Sequence, residues 1–203
     1  MKKLEREFYN RDSIIVAKEL LGKLIVHEID GVRVSAKIVE AEAYMGLVDK
    51  ASHAYGGKRT PKNEIMYGES GYSYIFTVYV KNNCFNVITQ GKEIPQAVLI
   101  RAAEPVEGIE HMAGERYGKS LEQLTKSQKK GLTNGPGKMC AALSIYASFN
   151  GIDLCDDEIY FADDGVEDFE IVSTTRVGID RIEEARDYPW RFYIKGNEYV
   201  SVK

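Results

Sequence analysis

Glu40, Glu42, Tyr44 and His53 fall close together in the stretch AKIVEAEAYMGLVDKASHAYGG, residues 36–57. A carboxylate, a flat aromatic ring and an imidazole brought to one place would bind a planar ligand and activate a water beside it. Residues 38–44 read as a strand, whose side chains alternate between faces. Ile38, Glu40, Glu42 and Tyr44 then share one face, and Val39, Ala41 and Ala43 the other. Periodicity by itself also fits a half-exposed antiparallel strand with its charges in solvent. The choice rests on the rest of the chain.

The elements that must position these groups are legible in outline. Asp12 or Ser13 caps a short helix through Leu20 and Leu21, ended by Gly22. KLIVHEI, residues 23–29, reads as a strand with His27 in a structural role, and Asp30-Gly31 is a hairpin turn leading into strand 32–44. Residues 71–90, GYSYIFTVYVKNNCFNVITQ, read as a second hairpin. Tyr72, Tyr74, Phe76 and Val78 share a face there, and Tyr79 stands next to a turn at Lys81-Asn82-Asn83. An aromatic ring at such a tip serves either as packing or as a wedge between base pairs. QAVLIRAAE, residues 96–104, is an apolar strand ended by Pro105. Arg101 in its middle is costly to bury unpaired, and Glu40 or Glu42 is the natural partner.

Residues 106–130 read as helical, and Gly135-Pro136-Gly137 opens a helix to about Tyr146. The stretch TNGPGKMCAAL fails the spacing of a nucleotide phosphate loop, with Met139 where a magnesium-binding hydroxyl should be. STTRVGID reads as a turn, RIEEARDYPW as a short helix, and RFYIKGNEYVSV as a closing hairpin turning at Gly196-Asn197. Strands early and late with helices between give an α+β class. The expected architecture is a single domain over residues 1–203, with a curved, mainly antiparallel sheet, surrounding helices and a protruding β-hairpin.

At 203 residues the chain is long enough for a substantial core. No apolar run reaches a membrane span, and MKKLEREFYN lacks the apolar core of a signal peptide. Three widely spaced cysteines and three histidines make a metal site unexpected and fit a reduced, cytoplasmic setting. The net charge of −4 argues weakly against nucleic acid, but it is unevenly spread. Residues 151–170 hold nine of the 31 acidic residues and no basic one, leaving 22 acidic against 27 basic residues elsewhere. A basic face remains open if this segment, read as a solvated acidic loop, lies on the far side.

Seven blocks in order carry a resemblance: IVEAEAY (38–44), SHAYGGKRTPKN (52–63), YSYIFTVYVKNNCFN (72–86), VLIRAAEP (98–105), NGPGKMCAAL (134–143), RVGI (176–179) and RFYIKG (191–196). Together they resemble the alkyladenine, or methylpurine, DNA glycosylases over essentially the whole chain. The resemblance implies an enzyme that flips an alkylated or deaminated purine out of duplex DNA and hydrolyses its glycosidic bond. The lesion class includes 3-methyladenine, 7-methylguanine, hypoxanthine and ethenoadenine, and the product is an abasic site.

By the same resemblance Glu42 is the carboxylate that activates the water, with Arg101 and the Val177 carbonyl helping to hold it. Tyr44, His53, Phe76 and Asn86 line the base pocket, Asn86 obstructing the exocyclic amine of guanine. Phe76 stands where relatives often carry tyrosine. Tyr79 is the intercalating wedge, and Lys81 near it replaces an apolar residue. Lys58, Arg59, Lys81 and Lys138 are candidate contacts to the DNA backbone. No metal or cofactor is expected, the partner is double-stranded DNA holding a damaged purine, and a monomer is expected. No lysine lies inside the motif, so Schiff-base chemistry and strand cleavage are not expected. Two other readings remain, a nucleoside N-ribohydrolase and a nucleic-acid binding module without chemistry. Glu40 is the rival carboxylate.

Overall fold

Asp30 and Gly31 both adopt positive φ, 47° and 82°, as a two-residue hairpin turn requires. They join β2 (Leu24–Ile29) to β3 (Val32–Tyr44), the long strand that carries the key carboxylates. The structure, a computed structural model, describes residues 1–79, 82–165 and 168–202. Its other strands are β1 (Lys2–Lys3), β4 (Ser73–Val78), β5 (Asn82–Thr89), β6 (Gln96–Glu107), β7 (Ile159–Asp163), β8 (Ile171–Thr174) and β9 (Arg191–Ile194). All described pairings are antiparallel. The sheet runs β1-β7-β2-β3-β6-β5-β4, and β9 joins β3 where β2 has ended, with β8 outside it. The helices are α1 (Arg6–Tyr9), α2 (Ser13–Glu19), α3 (Ile109–Tyr117), α4 (Lys126–Lys130) and α5 (Pro136–Ala142). This is an open antiparallel sheet with a few helices, an α+β fold. Among the described residues no helix is long and apolar enough to cross a membrane.

The helix expected after Asp12 forms, its side chain accepting from the Ile14 amide at 2.9 Å. α2 packs on β3, β6 and β9, and α5 on β5 and β6. Both cover a core that includes Ile25, Ile38, Phe85, Ile100, Met139 and Phe192.

Several local expectations need correction. β6 does not stop at Pro105 but runs to Glu107; Pro105 faces Ala36 next to a register shift, where a missing N–H is tolerated. Residues 106–130 are therefore strand, then α3, a 3-10 turn and α4. α5 ends at Ala142, because Ser144 turns with φ 53°. Of the turn expected at Lys81-Asn82-Asn83, Lys81 lies outside the described residues and Asn82 and Asn83 already belong to β5, while Tyr79 after β4 has φ 49°. The C-terminal hairpin is absent: both edges of β9 are occupied, by β3 and β8, so residues after Gly196 cannot pair with it. The acidic segment is not a loop throughout. Its centre is β7, four strands away from the β4–β5 hairpin, and Asp153, Asp157, Asp163 and Asp164 pair with Arg6, Lys3, Lys23 and Lys37.

His27 is structural, as expected. Its Nδ1–H donates to the Leu143 carbonyl at 2.7 Å, and it is 4% exposed. Burial holds its pKa below the usual 6.5, outweighing that bond to Leu143. The unfolded chain therefore binds this proton more readily, and stability falls as pH drops from about 6.5 toward the folded value. Denaturant unfolding at pH 7.5 and 5.5 should show this loss, and His27→Gln should show a smaller one.

Candidate active site

The alternation of β3 is interrupted at the point where it matters. Ile38 pairs with Ala103 but Glu40 with Ala102, and Ala41 with Ile100, so Val39 and Arg101 are each the extra residue of a β-bulge. Bulges re-aim side chains. Arg101 thereby reaches both carboxylates, its Nε 3.3 Å from Glu40 Oε1 and its Nη1 3.4 Å from Glu42 Oε1. Burial alone would lower the Arg101 pKa; the charges of Glu42 and Glu40 reverse this and raise it, so the guanidinium stays charged. Arg191 adds a second cation, 2.8 Å from Glu40. The cluster is thus two anions and two cations with no net charge, as deep burial demands.

The two glutamates differ in their partners. Glu40 is bound by Arg101, by Arg191 and by the Ser201 amide at 2.7 Å, the last two being scaffold. Glu42 accepts from the Tyr44 hydroxyl at 2.9 Å and from the Val177 amide at 2.7 Å. Tyr44, Arg101 and Val177 all line one cavity of about 410 Å³, within the range of small-molecule sites. Neither carboxylate is exposed to solvent, contrary to the half-exposed strand. Glu42 lies one side chain behind the cavity wall, in contact with three of its residues. Burial first, then Glu42, pushes the Tyr44 pKa well above 10, so its hydroxyl stays a donor.

The other walls are aromatic and apolar. Tyr74, Phe76 and Val78 project from one face of β4, as their alternation predicts, and meet His53, Met66, Leu99 and Ile179. The His53 and Phe76 centroids are 4.6 Å apart at 69°. His53 Nδ1 is hydrogen bonded to the Tyr74 hydroxyl at 2.6 Å. Burial, then the charge of Lys58, holds the His53 pKa below 6.5, so the imidazole is neutral at pH 7. Asn86 is buried in the wall, its Nδ2 donating to the Tyr74 and Cys84 carbonyls. Burial pushes the Cys84 thiol up to about 11, which keeps it protonated.

Tyr79 stands at the cavity rim, 90% exposed and in a backbone conformation unusual for a non-glycine residue. Its hairpin is braced from below. A Cβ on Gly137 would lie 2.9 Å from Asn82 Cβ, so only glycine lets α5 approach this closely, and Asn83 Nδ2 donates to the Ile145 carbonyl.

The candidate backbone contacts are placed unevenly. Lys58 lines a second groove of about 660 Å³ with Lys62 and Asn150, and that groove shares His53, Tyr74, Phe76 and Val78 with the cavity. Arg59 is engaged by Glu64 and Glu93, and Lys138 by Asn134 at 2.9 Å. Lys81 lies outside the described residues. Tyr74, Met66, Cys84 and Ile179 line the cavity as well, beyond the site residues expected from the sequence. Tyr74 carried a signal, two residues from Phe76 on the same face; the others carried none.

Comparison with known proteins finds relatives along essentially the whole chain. Residues 7–198 match the family profile described as methylpurine-DNA glycosylase. A protein of Desulfitobacterium hafniense (strain Y51), provisionally named 3-methyladenine DNA glycosylase, is 63% identical over 203 residues, all of both chains. Proteins given the same provisional name in Clostridium novyi (strain NT) and Clostridium acetobutylicum are 55% identical over 203 residues and 56% over 200, covering 100% and 98% of each chain.

Proposed function

The chain belongs to the methylpurine-DNA glycosylase family, and on that premise we propose that it excises alkylated or deaminated purines from duplex DNA with Glu42 as the base. The observation that carries this reading is the convergence of the Tyr44 hydroxyl, the Arg101 guanidinium and the Val177 amide on one buried carboxylate, at the wall of an aromatic cavity with an exposed tyrosine at its rim.

A glycosidic carbon is out of reach inside a stacked duplex, so the nucleotide must leave the helix. Tyr79 fills the gap it vacates. The everted base enters between Tyr44, His53 and Phe76, whose ring faces favour an electron-poor, often cationic purine. As the bond breaks, the sugar gains oxocarbenium character. Glu42 stabilises that cation and takes a proton from the attacking water, held between the carboxylate, Arg101 and the Val177 carbonyl. The Val177 amide and the Tyr44 hydroxyl fix the carboxylate. A cationic base leaves without protonation; a neutral one such as hypoxanthine takes up a proton by way of a water in the cavity as it leaves, which balances the one Glu42 accepts. Glu40 is structural, since its remaining partners are scaffold. With no lysine among the described residues that line the cavity, the strand is expected to stay intact, leaving an abasic site. Lys58 and Lys62 beside the cavity suit a phosphate backbone. The enzyme acts as a monomer, because a duplex must reach the cavity, and works in the cytoplasm, in keeping with its free thiols.

A nucleoside hydrolase would use the same carboxylate and stacking walls but not the wedge. Tyr79→Ala therefore discriminates. Loss of one aromatic–base stack, about 1–3 kcal/mol, should lower excision from duplex DNA by roughly 5- to 150-fold. Turnover of free damaged nucleosides, assayed in parallel, should be negligible for both proteins. Appreciable turnover of free nucleosides, equal in the two proteins, would overturn the repair reading.

A further inference from the structure

Asp49 and Arg176 form an ion pair in which both side chains are fully buried, at 2.6 Å (Nη1–Oδ2) and 2.7 Å (Nη2–Oδ1). Asp49 also accepts from the amides of Met45 at 3.1 Å and Ala51 at 3.0 Å. Arg176 donates to the carbonyls of Ala43 at 3.0 Å and Ala185 at 3.4 Å. Its guanidinium carbon lies 4.6 Å from the Tyr44 ring centroid and 5.1 Å from that of Trp190.

Desolvating two charges is expensive, and apolar side chains of similar volume often fill such a space at no loss of stability. Stability alone therefore does not account for this pair. Its placement does. It fastens the end of β3 at Ala43 and Tyr44, the loop 45–52 that leads into His53, and the segment around Val177. The last link is one peptide long, since the Val177 amide that donates to Glu42 at 2.7 Å follows Arg176 directly.

We propose that Arg176 and Asp49 are positioning residues, which hold the Val177 amide on Glu42 and the Tyr44 ring in the cavity wall. The proposal rests on the reading of Glu42 as the base. Neither residue lines the cavity, and their contacts reach it only through the Tyr44 ring and the peptide joining Arg176 to Val177. Losing the pair must slow the chemical step and leave DNA affinity alone.

The test is single-turnover excision and lesion-duplex affinity for the wild type, Glu42→Gln, Arg176→Lys and the neutral double variant Asp49→Asn/Arg176→Gln. The double variant keeps polar groups facing the same backbone partners. Small misplacements at a reacting centre cost about 100-fold, so its rate should fall about 10- to 100-fold while Kd moves less than about threefold. Arg176→Lys, which keeps the charge but not the two-pronged geometry, should fall between it and the wild type. A folded double variant that excises at the wild-type rate, or whose loss lies in Kd, overturns the proposal. If the double variant does not fold, Arg176→Lys decides by the same two measurements. A wild type that cleaves while Glu42→Gln does not, alongside unimpaired pair variants, refutes the positioning role alone. An inactive wild type refutes the functional reading with it.

Discussion

Glu42→Gln should reduce excision by about 100- to 10,000-fold, the usual contribution of a positioned general base, while binding to lesion-containing duplex persists. The amide has the shape of the carboxylate. Its oxygen still accepts from the Val177 amide, and the Tyr44 hydroxyl can turn to accept from the new NH₂. What the proposed chemistry loses is the carboxylate's negative charge and its capacity to take a proton. Single-turnover base release, duplex affinity and the thermal midpoint separate these effects. The rate should collapse and the affinity should hold, while the midpoint drops, because Arg101 loses one of its two buried carboxylates. The matching substitution Glu40→Gln should act on the midpoint first, because Arg191 and the Ser201 amide, its remaining partners, belong to the scaffold.

Arg101→Met should cost about 3–5 kcal/mol, the penalty for leaving buried charge without its partner, out of a total stability of about 5–15 kcal/mol. Arg101 is the cation shared by Glu40 and Glu42, and neither carboxylate can reach solvent instead. Glu40 retains Arg191, so the greater imbalance falls on Glu42, which keeps only two neutral donors, Tyr44 and Val177. Denaturant unfolding measures the loss. Arg101→Lys, keeping the charge but only one point of contact, should recover part of it. Excision should fall in both, since Arg101 lines the cavity as well.

The parts of this site that lie close in the chain were legible in the sequence. The Glu42–Tyr44 spacing put both on one strand face, and the alternation of Tyr74, Phe76 and Val78 built the opposite wall. Asp30-Gly31 set the turn that starts β3. An apolar strand with one arginine in it called for a carboxylate, and Arg101 found two. What could not be read depends on long-range geometry. Paired bulges at Val39 and Arg101 obey no residue preference, yet they decide what Arg101 touches. Asp49 sits between Val48 and Lys50 and reads as a solvent-facing loop residue; only the fold brings Arg176 to it. The closing hairpin failed for a related reason, because local turn chemistry at Gly196-Asn197 does not reveal that β9 has both edges taken. Val177 entered through family resemblance for its carbonyl, whereas its amide contact to Glu42 is a product of the tertiary structure.

The proposed activity is hydrolysis of a purine glycosidic bond in duplex DNA by a buried carboxylate behind an aromatic cavity. The direct measurement is release of free base by the wild-type protein from duplexes carrying a single methylated adenine, hypoxanthine or ethenoadenine. Strand integrity is followed before and after alkali. The account requires free base, a strand that stays whole until alkali is added, and breaks at the lesion alone. It is contradicted if no base is released from any of these duplexes, or if the strand is cut without alkali.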